Sequence, residues 1–100
     1  MNPQISKTSI IVRAKDQVSC DLAGEAVILN IKSGIYYGLN PVGATIWDLI
    51  QEPRPVGFIL DMLLEQYEVD PDRCEADLFA LLEDLAAQEL IALEANGAGK

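Results

Sequence analysis

The sequence has no histidine. That absence removes imidazole as a general acid or base, along with any zinc site that depends on it. Cysteine is almost as scarce: Cys20 and Cys74 stand alone and form no CxxC or other metal spacing. Two isolated cysteines read as small buried hydrophobes rather than as a disulfide. No apolar run approaches the roughly 20 residues that cross a bilayer. The opening MNPQISKTS lacks the basic start and apolar stretch of a secretion signal. The expectation is a cytoplasmic protein with no membrane partner.

Basic residues are few, seven against sixteen acidic ones, which gives the 100-residue chain a net charge of −9. The imbalance is local, because residues 1–40 carry four Lys/Arg and three Asp/Glu while residues 41–100 carry three and thirteen. A field of this kind repels phosphate backbones and acidic membranes and attracts basic peptides or proteins. With half its residues hydrophobic, a chain of this length supports one core, so a single domain is expected over residues 1–100.

The first half has strand character. VSCDL (18–22) and EAVILNI (25–31) are rich in β-branched and aliphatic residues, and Ala23-Gly24 between them suits a tight hairpin. After Lys32-Ser33-Gly34 comes IYYGL (35–39), the third strand of an antiparallel meander and an edge unless something covers it. The second half turns helical. Asn40 caps a helix that begins at Pro41 and places Ile46, Leu49 and Ile50 on one face with Trp47 beside them, and Glu52-Pro53-Arg54-Pro55 ends it. Residues 56–67 form a second helix with Ile59, Met62, Leu63 and Tyr67 on one side. A third and longest helix runs from about Asp72 to Gln88 around a stripe of Cys74, Leu78, Leu81, Leu82 and Leu85. LIAL (90–93) is a last apolar piece, and the tail EANGAGK is expected to fray.

Acidic residues are the obvious candidates for chemistry. Glu75, Asp77, Glu83 and Asp84 share one helix, but acids opposite a leucine stripe form a solvated face. No nucleophile, glycine-rich phosphate loop or metal spacing accompanies them, so no enzymatic activity, cofactor or metal is expected. Three strands with three helices also fit a winged helix, which raises nucleic-acid binding. A recognition helix needs basic or amide side chains, and the third helix offers only Arg73 amid acids; no nucleic-acid partner is expected.

The uncharged edge strand remains. Either another element covers it and the tyrosines enter the core, the reading slightly favoured by the residues alone, or it is kept open to pair with an extended peptide. Alternation sends Ile35, Tyr37 and Leu39 to one face and Tyr36 and Gly38 to the other. Gly38 lets another backbone approach closely. On the third helix Asp77, Ala80, Leu81 and Asp84 form a small, apolar and acidic flank suited to a basic peptide. The opposite flank of Glu75, Phe79, Leu82 and Ala86 is nearly as good, and spacing does not choose between them.

The run SGIYYGLNPVGATIWDLI, followed after Pro53-Arg54-Pro55-Val56 by a helix and then by ADLFALLEDLAAQELI, resembles the PqqD family over roughly residues 12–93, which are expected to be the ordered core. Its most telling part is carried by Tyr36 to Asn40, Gly43, Ile46 and Trp47. Members are small winged-helix proteins, alone or fused, that serve as recognition elements for ribosomally made, modified peptides (RiPPs). This form of the motif is most similar to the stand-alone recognition half of the split B protein of lasso-peptide clusters. The resemblance implies an α+β, winged helix-turn-helix-like fold in the order β-β-β-α-α-α. It implies that a precursor's leader peptide adds as a strand beside Ile35, Tyr36, Tyr37, Gly38 and Leu39 and packs on the third helix. Lasso leaders of this kind carry a tyrosine and a proline that dock into apolar pockets. Further partners so implied are a leader-cleaving cysteine protease and a cyclase or, in a PqqD-like peptide chaperone, a radical enzyme. Members often have Gly where this chain has Glu89, which bears on how the third helix ends. Asn40, Pro41, Ile46 and Trp47 are expected to serve as cap, helix start and core.

Overall fold

The computed structural model describes residues 5–22 and 25–94. The hairpin turn expected at Ala23-Gly24 and the tail beyond Glu94 lie outside the described residues. In chain order the elements are strands Ile10–Arg13 (β1), Gln17–Leu22 (β2), Glu25–Asn30 (β3) and Ile35–Leu39 (β4), then helix Pro41–Leu49 (α1) and the two-residue strand Arg54–Pro55 (β5). Helices Val56–Gln66 (α2) and Pro71–Ala87 (α3) and strand Ile91–Glu94 (β6) complete them. The α+β class and the three helices after a run of strands agree with the sequence.

The single meander does not. β2, β3 and β4 form one antiparallel sheet in that order, and a second antiparallel sheet has the order β5-β1-β6. The expected order β-β-β-α-α-α is therefore corrected to β-β-β-β-α-β-α-α-β. The physical reason is the burial of β1 and β6 together: Ile11 and Ile91 are both core residues, and pairing the two strands satisfies their backbones while hiding these side chains. LIAL, read as a last apolar piece, closes the end of α3 with Leu90 and supplies most of β6, and Glu94 belongs to that strand rather than to a frayed tail.

Local rules place the helices. The Asn40 side chain accepts from Gly43 N–H at 2.8 Å, and Pro41 follows where a missing N–H costs nothing. Gly43, Ile46 and Trp47 are buried. α1 has no basic residue in its own last turn, so Arg13 of β1 supplies one: its Nη2 and Nε donate to the Trp47 carbonyl at 2.6 and 3.3 Å, and its guanidinium lies 4.3 Å from the centre of the Trp47 ring. Burial lowers the Arg13 pKa, and nearby Asp48 opposes that shift. α2 buries Val56, Ile59, Leu60 and Leu63, whereas Met62, expected on the core side, is half-buried. α3 starts at Pro71 under an Asp70 cap and buries Leu78, Leu82 and Leu85. Cys74 and Leu81, expected in its core stripe, are only half-buried.

Two devices fix the end of α3. Glu89 has φ +60°, the left-handed conformation usually left to glycine. Around it Leu90 N–H donates to the Leu85 carbonyl at 2.9 Å and Glu89 N–H to the Ala86 carbonyl at 3.0 Å, a Schellman ending in which Leu90 folds back over Leu85. The second device is Asn30, 5 % exposed. Its Nδ2 donates to the Gln88 carbonyl at 2.7 Å, and its Oδ1 accepts from Lys32 and Ser33 N–H at 2.9 and 3.2 Å. One side chain thus closes the β3–β4 turn and ties it to the last turn of α3.

Glu89→Gly should relieve the left-handed strain, worth about 1 kcal/mol, and raise the midpoint of a thermal melt by roughly 4–8 °C; an unchanged or lower midpoint would count against this ending. Asn30→Ala should cost roughly 2–3 kcal/mol in a urea melt, because it strands the Gln88 carbonyl and two turn N–H groups.

Candidate functional site

Strand β4 is the edge of its sheet, with no described strand beyond it. Which of its backbone groups are free follows from its neighbour. Ile31 N–H donates to the Asp16 carbonyl, toward β2. Backbone groups alternate along a strand, so those of Ala26, Ile28 and Asn30 point the other way, to their partners Leu39, Tyr37 and Ile35. The N–H and C=O groups left at the outer edge are those of Tyr36 and Gly38.

Side chains follow the complementary alternation. Leu39 is buried and Tyr37 half-buried against the core, while Ile35, at the strand's start, is 53 % exposed. Tyr36 is 69 % exposed on the opposite face, beside Gly38. Tyr37 is therefore the tyrosine that turns inward.

Inward of this edge lies a cleft of about 480 Å³ between β4, the first turn of α1 and α3. Its floor is apolar, built by Ile46, Leu63 and Leu78. Val42 and Val69, both exposed hydrophobes that no core stripe uses, also line it, as does Tyr67, whose hydroxyl is 3.0 Å from Thr45 Oγ1. Arg73, Cys74, Asp77 and Leu81 form the α3 wall.

Of the residues expected to contact a peptide, Tyr37, Gly38, Leu39, Asp77 and Leu81 line this cleft. Asp84 lies near enough to Tyr37 to act on its phenol, so it shares that flank. Ile35, Tyr36 and Ala80 are exposed and do not line the cleft. The opposite flank of α3 faces elsewhere: Leu82 is fully buried, Phe79 and Ala86 pack against the core, and Glu75 pairs with Lys7 at 3.4 Å. Sequence reasoning missed Val42, Tyr67, Val69 and Arg73 as lining residues. The only signal was that Val42 is apolar yet off the buried face of α1, and that Val69 is an apolar residue in the connection between α2 and α3.

Burial raises the Cys74 pKa and Asp77 raises it further, so the thiol is held away from the thiolate that a nucleophile requires. Among the described residues no cluster of acidic and cysteine side chains is arranged to hold a metal ion, and no helix is long and apolar enough to cross a membrane.

Burial also raises the Tyr37 pKa, with Asp84 adding to it. The folded chain therefore keeps this proton longer than the unfolded one, whose phenols ionise near pH 10. The stability that Tyr37 contributes is complete below about pH 10 and is lost as pH rises through its raised pKa. Above about pH 10 the melting temperature of the wild type should fall more steeply than that of Tyr37→Phe, and parallel curves would contradict this placement.

Comparison with known proteins adds the following. The family model described as Coenzyme PQQ synthesis protein D (PqqD) matches residues 25–91. No curated protein matches the chain. The solved structure of TbiB1 in complex with the TbiA(beta) leader peptide is similar at 34 % identity and a TM-score of 0.78, covering 85 % of this chain and 99 % of that one. A lasso peptide synthetase B1 complexed with the leader peptide is similar in fold, with 22 % identity, a TM-score of 0.73 and coverage of 82 % and 96 %. The matched span runs from β3 to the first residue of β6 and contains every residue that lines the cleft; the chain belongs to the PqqD family.

Proposed function

We propose that this chain is a non-catalytic recognition domain for the leader of a ribosomally made precursor peptide of the lasso type. The observation that carries the reading is an uncharged strand edge, unpaired among the described residues, set directly beside a cleft with an apolar floor. An extended peptide added to that edge gains main-chain hydrogen bonds that demand little of its sequence, and its alternate side chains reach the cleft and gain selectivity there. The 34 % identical relative, solved with a leader peptide, supports the same reading.

The leader runs antiparallel to β4, like every other pair in this sheet. It lies along Ile35 to Leu39, with its hydrogen bonds to Tyr36 and Gly38. Side chains opposite Leu39 and Tyr37 point inward, toward the cleft and the flank of Asp77, Ala80, Leu81 and Asp84. Those opposite Gly38 and Tyr36 point outward. The sheet β5-β1-β6 with α1–α3 serves as a winged helix-turn-helix-like base that holds the meander, within one domain. The loaded complex, in the cytoplasm, then delivers its precursor to a leader-cleaving cysteine protease and a cyclase. A second reading, favoured by the PQQ-synthesis description of the family model, makes the chain a peptide chaperone for a radical enzyme in redox-cofactor or other peptide maturation; the genes beside this one separate the two.

The test is a titration with a labelled synthetic peptide spanning the leader of the precursor encoded next to this gene. Saturable binding is expected, and its absence would sink the reading. Hydrogen exchange followed by NMR locates the contact: amides of Tyr36 and Gly38 should exchange quickly in the free protein and become protected in the complex. Those of Tyr37 and Leu39 should be protected in both states.

A further inference from the structure

The cleft carries a charge order that a bound strand would have to match. α3 runs antiparallel to β4. Its C-terminal end is fixed beside the start of the strand, because the Gln88 carbonyl is bonded to Asn30, the cross-strand partner of Ile35, while its N-terminal residues Arg73 and Cys74 line the cleft together with Leu39, Asn40 and Val42 at the strand's other end. Between these ends Asp84 is near enough to Tyr37 to act on its phenol. From the Leu39 end to the Ile35 end, this side of the helix therefore presents Arg73, Asp77, Leu81 and Asp84. The ion pairs among the described residues are Lys7–Glu75, Lys32–Asp16 and Arg54–Glu52, so none of these three charges is compensated by one. β4 and the first turn of α1 have no charged residue, so the charges that line the cleft come from α3. Glu68 and Asp70 flank the lining residue Val69, and Asp70 accepts from the Arg73 N–H at 3.0 Å, which leaves the Arg73 guanidinium as the one cation, among the described residues, at an otherwise acidic end of the cleft.

An antiparallel strand passes Leu39 first and Ile35 last. Its N-terminal part then faces the cation and its C-terminal part faces the anions. Arg73 and Asp84 are eleven positions apart, roughly 16 Å at about 1.5 Å per helical residue. An extended chain covers that in about five residues at roughly 3.3 Å each. Two side chains that both turn toward α3 must be an even number apart, which makes the separation four or six.

Resting on the leader reading, we propose that this cleft selects a dipolar leader: an acidic side chain near the N-terminal end of the bound strand facing Arg73, and a basic one four or six residues later facing Asp84 and Asp77. The apolar residues between them fill the cleft. This order selects the direction of the strand as well as its composition, since a chain laid in reverse would set like charges together.

The experiment uses the synthetic leader of the neighbouring precursor and a version with its acidic and basic residues exchanged. Both are titrated at low salt against the wild type, Arg73→Glu, Asp84→Lys and the double variant. Arg73 and Asp84 are exposed, so these variants should fold, and thermal melts check that they do. Each single variant should bind the native leader roughly five- to tenfold more weakly, with Asp84→Lys also slowing association and flattening its salt dependence. The double variant should prefer the exchanged peptide. Equal affinity of all variants for both peptides, a preference of the double variant for the native leader, or a leader without such a pair would each overturn the proposal. Failure of the native leader to bind the wild type would overturn the leader reading itself.

Discussion

The side-chain amide of Asn30 is the contact on which the arrangement depends. Among the described residues strand β4 has a neighbouring strand on one side only, so its position relative to α3 is not set by the sheet alone. Asn30 sets it by donating to a carbonyl at the C-terminus of α3, where no intrahelical partner exists, while accepting from two N–H groups of the turn that begins β4. At the other end of the strand Asn40 caps α1, and Gly43 lets that helix close on Leu39: a Cβ there would lie 3.1 Å from Leu39 Cδ2. The cleft is thus held between two asparagines, one at each end of β4. Its width follows from short polar contacts and its floor from the common core.

Functions are divided among the parts. On the proposed reading, the free main-chain groups at Tyr36 and Gly38 would pair with the leader, and the apolar floor and the charges of α3 would select among leaders. Trp47 and Arg13 take no part in the cleft. They anchor α1 from behind, with the Arg13 guanidinium serving both as a cap for the Trp47 carbonyl and as a lid on its ring. The invariable demand on such a scaffold is stiffness, because a strand edge that shifts by one residue presents every side chain to the wrong face.

What could be read from the sequence was local. The meander appears in VSCDL, EAVILNI and IYYGL because the runs are rich in β-branched, aliphatic and aromatic residues and each is joined to the next by a short turn, and the Asn40-Pro41 and Asp70-Pro71 starts follow from capping chemistry. β1, β5 and β6 were missed because they have four, two and four residues, too few to show a period of two, and pair across long stretches of chain. Cys74 and Leu81 share the helical spacing of the core leucines, and only the position of β4 and α1 shows that the helix turns them toward a cleft. The Glu89 conformation was signalled only by a glycine expected in its place. The choice between the two flanks of α3 needed the packing of the whole helix, since both have similar composition.

Cys20 sits on the outer face of the sheet, in one cross-strand row with Val27 and Gly38. It is exposed, whereas Cys74 is half-buried with its thiol held protonated. The two thiols therefore differ in access, and a maleimide dye would attach at Cys20 while sparing the cleft. Strands lie about 4.8 Å apart, which puts such a dye roughly 15 Å from a strand added beside β4. The chain carries, without any engineering, an optical reporter position that registers occupancy of its edge without touching what occupies it.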